Sequence, residues 1–277
     1  MAAFTRIRRG IIILVLLTTA AAMAQQGSAQ HARVELLARQ ASVKPGSDPQ
    51  LGVHFILESG WHIYWINPGD SGQPPSFKWQ LPSGFTPGEI QWPHPERIQP
   101  NKELADFGYH GEILLPINIH VPPRLGTSSP VEFAVEVKWL ICREVCVPEH
   151  AKLHLTLPVW SIQRVDQQHA ELFAKTGKLI PQSLPRAWNA SATSAKDDFV
   201  LTIRAGKPIT QAEFFPLDPG QIDNPAPQKL QPTRSGVKIT LKKSDLLVNP
   251  ITVLRGVLVI PASPSYRIEA PVHDSIQ

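Results

Sequence analysis

The segment WLICREVCVPEH, Trp139 to His150, holds the only two cysteines of this 277-residue chain, Cys142 and Cys146, with three residues between them. Two thiols this close can do three kinds of chemistry. Joined for good, they are a structural disulfide, although a loop this short gives only about 2 kcal/mol of chain-entropy stabilisation. Opened and closed in turn, they are a two-electron redox couple, because a disulfide across a tight turn is accessible to an attacking thiolate. With His150 they make C-x3-C-x3-H, three soft or borderline ligands for copper or zinc. The neighbouring charges are mixed: Arg143, Lys138 and His150 favour a thiolate, and Glu144 and Glu149 oppose it. The familiar redox spacing is C-x-x-C, so spacing alone leaves all three readings open.

The elements that must position these thiols are legible on both sides. VEFAVEVKWLI puts Val131, Phe133, Val135, Val137, Trp139 and Ile141 on one face and Glu132, Glu136 and Lys138 on the other. AKLHLTLPV repeats the alternation, with Leu153, Leu155 and Leu157 inward and Lys152, His154 and Thr156 outward. Period-2 patterns of this kind are half-buried strands, so the cysteine segment is expected to connect a β-hairpin. The flanking strands and Pro148 argue against a helix, on which Cys142, Cys146 and His150 would share a face. Further strands are expected at 51–59, 111–121, 198–205, 236–243 and 251–260, the second of them edge-lying or bulged because of Pro116.

Composition agrees with an all-β chain. The 28 prolines, about twice average usage, are excluded from helix interiors and central strands and punctuate many short strands. One helix is expected, from about Asp166 to Lys175, with Gly177 at its C-terminus and Pro181 beyond. The resulting organisation is two β-sandwich domains, 25–160 and 185–277, joined by a linker with a short helix at 161–184. The second sandwich holds no cysteine and reads as structural or docking.

Residues 1–24 have the three parts of a secretory signal peptide: Arg6, Arg8 and Arg9, an apolar run from Ile11 to Ala22, and small residues at Ala22 and Ala24. The run is too short to span a bilayer, which needs about 20 residues. The expected location is therefore the periplasm, where disulfides persist, with no lipid-spanning segment in the mature chain. Without the three leader arginines, the 27 Lys and Arg fall to 24 against 23 Asp and Glu, which removes the basis for nucleic-acid or membrane binding by a basic surface. Both methionines, Met1 and Met23, lie in the leader, leaving no thioether for Cu(I).

Other motifs fall away. Gly69-Asp70-Ser71-Gly72 echoes the nucleophile loop of chymotrypsin-like proteases, but His54 and His62 lie upstream in strand-like sequence without a catalytic-histidine motif. A Pro/Gly-rich turn explains the stretch. Phosphate-cradling glycine loops and H-E-x-x-H are absent, and no cofactor is expected.

Taken in order, GWHIYWINPGDSGQPPSFKWQLPSGF (60–85), IQWPHPERI (90–98), FGYHGEILLPINI (107–119) and VKWLICREVCVPEHAKLHLTL (137–157) resemble the periplasmic N-terminal region of DsbD-like thiol:disulfide interchange proteins. The C-x3-C spacing is that of the branch related to the copper-tolerance protein ScsB; DsbD itself has a longer separation. The resemblance covers about 32–160, and is looser beyond, where PITVLRGVLVI fits an ScsB-type second domain. It implies an immunoglobulin-like sandwich with redox-active Cys142 and Cys146, the latter sharing mixed disulfides with partners. It also implies an aromatic cap over the cysteines, for which Phe107 and Tyr109 are the candidates. The implied partners are a membrane-embedded thiol electron donor and periplasmic thioredoxin-like proteins. No electron conduit or thioredoxin-like domain is read in these 277 residues, so the expectation is a separate donor, transfer in another direction, or a lost redox function. Two other functions compete: a non-catalytic adaptor with a structural disulfide, and a copper-handling module.

Overall fold

The computed structural model describes residues 24–25, 27–28, 30–125 and 130–274. The expected leader, 1–24, lies outside the described residues except at Ala24. The first half contains β1 (Ala24–Gln25), β2 (Gly27–Ser28), β3 (Ala32–Ala38), β4 (Gln50–Leu57), β5 (His62–Gly69), β6 (Ser76–Gln80), β7 (Thr86–Ile90), β8 (Glu96–Ile98), β9 (Asp106–His110), β10 (Glu112–His120), β11 (Val131–Cys142) and β12 (Cys146–Leu157). One sheet runs β1-β12-β11-β5-β9-β8, with β6 also paired to β11. The facing sheet runs β2-β3-β4-β10-β7.

Alternation builds the core between them. Val131, Phe133, Val135, Val137, Trp139 and Ile141 are all buried, and they meet Val34, Leu36, Val53, Phe55, Leu115 and Ile117 of the facing sheet in one cluster. Trp139 meets Phe55 edge to face at 5.3 Å. Each such side chain stabilises by about 1.5–3 kcal/mol relative to exposure. Pro116 sits in β10, between β4 and β7 rather than at an edge, and the register against β7 shifts just after it, between Ile117 and Ile119. The bulge accommodates a residue that cannot donate to the ladder.

The connection carries α1 (Ala170–Gly177), which starts four residues later than Asp166. The Asp166 carboxylate instead accepts the Gln168 N–H at 2.9 Å, a turn in place of a first helical turn. Gly177 is the last helical residue, and Lys178 caps the end with a right-handed φ of −73°. Phe173 packs onto Leu37 and Leu114, docking the helix on the first sandwich.

The second half contains β13 (Gln182–Ser183), β14 (Asn189–Ser194), β15 (Asp198–Arg204), β16 (Glu213–Pro216), β17 (Lys229–Thr233), β18 (Gly236–Lys242), β19 (Val253–Val259) and β20 (Tyr266–Asp274). The order is β16-β19-β20-β14-β15-β18-β17, with β13 also on β20. β20 changes partner along its length, pairing β19 up to Pro271 and β14 from Val272, and so links two layers around Phe199, Leu201, Ile239, Leu254 and Ile268. The protein is all-β, two immunoglobulin-like sandwiches with one short helix between them.

The two sandwiches touch through β16. Phe215 enters the first core, edge-on to Phe107 at 5.3 Å and to Trp65 at 6.5 Å. Arg97 lies over Phe107 and Phe215 and pairs with Glu213. No helix among the described residues is long and apolar enough to cross a membrane.

Candidate redox site

β11 and β12 pair over their full length, from Val131 opposite Leu157 to Cys142 opposite Cys146. The cysteines are therefore the last cross-strand pair before the three-residue turn Arg143-Glu144-Val145, and they are disulfide-bonded with Cα atoms 4.2 Å apart. Because Ile141 and Trp139 point into the core, Cys142 points to the outer face of the sheet. There it is nonetheless 3% exposed. Cys146 is exposed, beside Val145 at 65%. One sulfur is covered and the other is open.

What covers Cys142 comes from β5. Ile63 pairs with Ile141 and His62 with Cys142. Ile63 and Trp65 fill the core, so His62 and Tyr64 stand on the outer face with the disulfide. The Tyr64 hydroxyl donates to Cys142 Sγ at 3.0 Å and lies 3.7 Å from Cys146 Sγ. Burial raises its pKa above the ordinary phenol range, Ser71 partly offsets this through a hydrogen bond, and Asp106 adds to the rise. The phenol is thus a neutral donor at physiological pH. His62 is held down to about 4, by burial first and then by His110 opposite it. Its imidazole is neutral at pH 7, and its buried Nε2 has no partner among the described residues.

A loop closes over Tyr64. Gly72, at φ +76°, lies against the ring so tightly that a Cβ there would stand 2.1 Å from Tyr64 Cζ. Ser71 donates from N and Oγ to the Asp106 carboxylate at 2.9 and 2.8 Å. This is the stretch that echoed a protease loop. Its serine donates to a carboxylate and not to an imidazole, and the loop serves as the lid of the tyrosine.

The other expected site residues lie elsewhere. On β9, Tyr109 pairs with Ile63, and Phe107 shares Tyr109's face, so alternation turns both rings into the core, away from the disulfide. Phe107 packs on Phe215, and the Tyr109 hydroxyl donates to the Pro93 carbonyl at 2.7 Å. The aromatic residue at the sulfurs is Tyr64. His150 is exposed on the same face of β12 as Cys146 but four residues along, about 13 Å away at strand rise. Glu149 points inward, opposite Trp139, where it accepts the His31 N–H at 3.0 Å. Arg143 lies over the Trp61 ring at 5.3 Å. Among the described residues no group of three or more His, Cys, Asp or Glu is arranged to hold a metal ion.

Residues 33–158 match the family model for the N-terminal part of the thiol:disulfide interchange protein DsbD. The match spans the first sandwich, from β3 to the end of β12. Among solved structures, the N-terminal periplasmic domain of ScsB from Proteus mirabilis superposes with a TM-score of 0.67 at 17% identity, over 89% of this chain and 95% of that one. At that identity the likeness is one of fold, and it extends through both sandwiches. A protein of unknown function from Porphyromonas gingivalis W83 aligns with a TM-score of only 0.25 at 12% identity, over 87% of this chain and 99% of that one, and carries no argument. No match was found among curated proteins.

Proposed function

We propose that the protein exchanges disulfides with partner proteins in the periplasm, cycling Cys142–Cys146 between disulfide and dithiol. The observation that carries this reading is the inequality of the two sulfurs: Cys146 is open, and the covered Cys142 sits 3.0 Å from a buried hydroxyl donor. Thiol–disulfide exchange is an in-line displacement, so an incoming thiolate must reach one sulfur while the other leaves with the bonding electron pair. A donor thiolate attacks Cys146 Sγ; the S–S bond breaks, a mixed disulfide forms on Cys146, and Cys142 departs as a thiolate stabilised by the Tyr64 O–H. The donor's second thiolate then attacks its own sulfur in that mixed disulfide, leaving as an oxidised pair and freeing Cys146. In the other half-cycle the Cys146 thiolate attacks a client disulfide, and Cys142 resolves the adduct, returning the protein to its oxidised state with two electrons passed to the client. A membrane-embedded thiol protein as donor and thioredoxin-like periplasmic proteins as clients suit this scheme.

The experiment is trapping. Cys142→Ala leaves Cys146 without its resolving partner and is expected to accumulate mixed disulfides with periplasmic proteins, whereas Cys146→Ala is expected to trap few because Cys142 is covered. If neither variant traps an adduct, and the native bond has a potential below about −300 mV, the disulfide is a staple and the protein an adaptor.

A further inference from the structure

The second sandwich has no thiol, yet it holds the loop that covers Tyr64. Asn224, in the connection between β16 and β17, is 5% exposed, and its Nδ2 donates to Asp70 Oδ1 at 2.7 Å. The other Asp70 oxygen accepts the Ala105 N–H at 2.8 Å, and Asp70 N donates back to the Ala105 carbonyl at 3.2 Å. Asp70 therefore ties three segments together: its own loop, the entry to β9, and the second sandwich. The next residue, Ser71, grips Asp106, and the next, Gly72, presses on the Tyr64 ring. At the other end of the loop Asn67, 2% exposed, accepts the Gly69 N–H at 3.1 Å and donates to the Pro216 carbonyl of β16 at 2.8 Å. Two buried asparagine amides thus bridge the segment 67–72 to the second sandwich.

We infer that the second sandwich is a positioning element of the redox site, with Asn224 holding Asp70, and through the loop the Tyr64 hydroxyl, against Cys142. This rests on the exchange reading above and gives the cysteine-free half of the chain a task within it. The physical basis is that Asp70, itself exposed, is held by two donors on its carboxylate, the buried Asn224 amide and the Ala105 N–H, so losing the Asn224 donor hands that oxygen to water and lets the loop lift. A lifted loop frees the tyrosine ring, the hydroxyl spends less time on Cys142, and the reduced state loses its stabilised thiolate.

The test is the equilibrium of the full-length protein with reduced and oxidised glutathione, in native protein, Asn224→Ala, Tyr64→Phe and the double variant. Asn224→Ala is expected to lower the equilibrium constant for reduction about threefold, which corresponds to about 14 mV. In the Tyr64→Phe background the same change is expected to do nothing further, because the hydroxyl through which it acts is gone. A role confined to holding the sandwiches together predicts instead a lower melting temperature with no change in the constant, or equal effects in both backgrounds; either result overturns the inference. Should Asn224→Ala fail to fold, Asn224→Asp removes the donor at the same size and is expected to move the constant the same way. If native protein does not equilibrate with glutathione at all, the exchange reading itself fails. If it does and the variant matches it, only the positioning role is lost.

Discussion

Tyr64→Phe removes one oxygen and nothing else from the neighbourhood of Cys142. In the native protein that oxygen donates to Sγ at 3.0 Å from a side chain 1% exposed. A hydrogen bond to a charged acceptor is worth about 1.5–3 kcal/mol, and one to a bonded, neutral sulfur is worth at most about 0.5 kcal/mol. The hydroxyl therefore favours the thiolate over the disulfide by about 1–2.5 kcal/mol, and at 30 mV per 1.4 kcal/mol its loss makes the potential about 20–50 mV more negative. The full difference is reached only where Cys142 is ionised once reduced, so the gap between variant and native potentials should widen as pH rises. Cleavage by an external thiolate at Cys146 should slow as well, because the leaving sulfur loses its donor. Stability in the oxidised state should change little, since Ser71 keeps its bonds to Asp106. The assay is equilibration with glutathione at several pH values, with denaturant melts as control. A gap of zero, or one that does not vary with pH, refutes the assignment of Tyr64 as the partner of a leaving thiolate.

Gly72→Ala puts a methyl group where the Tyr64 ring stands and forces a side chain into φ +76°, so it should destabilise by about 1–3 kcal/mol and, by displacing the hydroxyl from Cys142, slow cleavage by small thiols; an unchanged urea midpoint would contradict the lid described for the loop. His62 gives a pH signature: its pKa falls on folding from 6.5 to about 4, so the unfolded chain binds the extra proton between those values, and stability rises with pH across that window and is lost as pH falls through it. The upper bound is about 3 kcal/mol. Subtracting the melts of His62→Gln from those of native protein isolates this contribution, and a flat difference between pH 4 and pH 6.5 would exclude it.

The cysteine hairpin was legible because its information is local. Two alternating runs, each side of a short polar turn, dictate the register that sets Cys142 opposite Cys146. In the second half β15, β18 and β19 were legible for the same reason, whereas β13, β14, β16, β17 and β20 were not expected. Phe107 and Tyr109 show where local pattern stops: β9 alternates as any strand does, but which of its faces looks at the sulfurs depends on its pairing with β5, and that pairing turns the two rings inward. Tyr64 was hidden for a related reason. Ile63 and Trp65 mark the buried face of β5, which leaves His62 and Tyr64 on the other, yet nothing near residue 64 says that its neighbour is a strand ending at residue 142. The helix start failed by competition, since the Asp166 carboxylate takes a backbone N–H in a turn before helical bonds begin.

The position of the disulfide argues for the use made of it. Closing a loop of about five residues removes little freedom from the unfolded chain, about 2 kcal/mol by the entropy model. In the folded protein even that constraint is redundant, because β11 and β12 are already paired along twelve residues each, and their side chains fill a core of two facing sheets. A bond placed for strength would join segments far apart in the chain, such as the two sandwiches, which meet instead through Phe215, Arg97 and two asparagine amides. The bond sits at the tip of the longest hairpin, with one sulfur open to solvent and the other against a phenol. Such a site loses little stability when the bond opens, and the same register brings the two sulfurs back together when it closes.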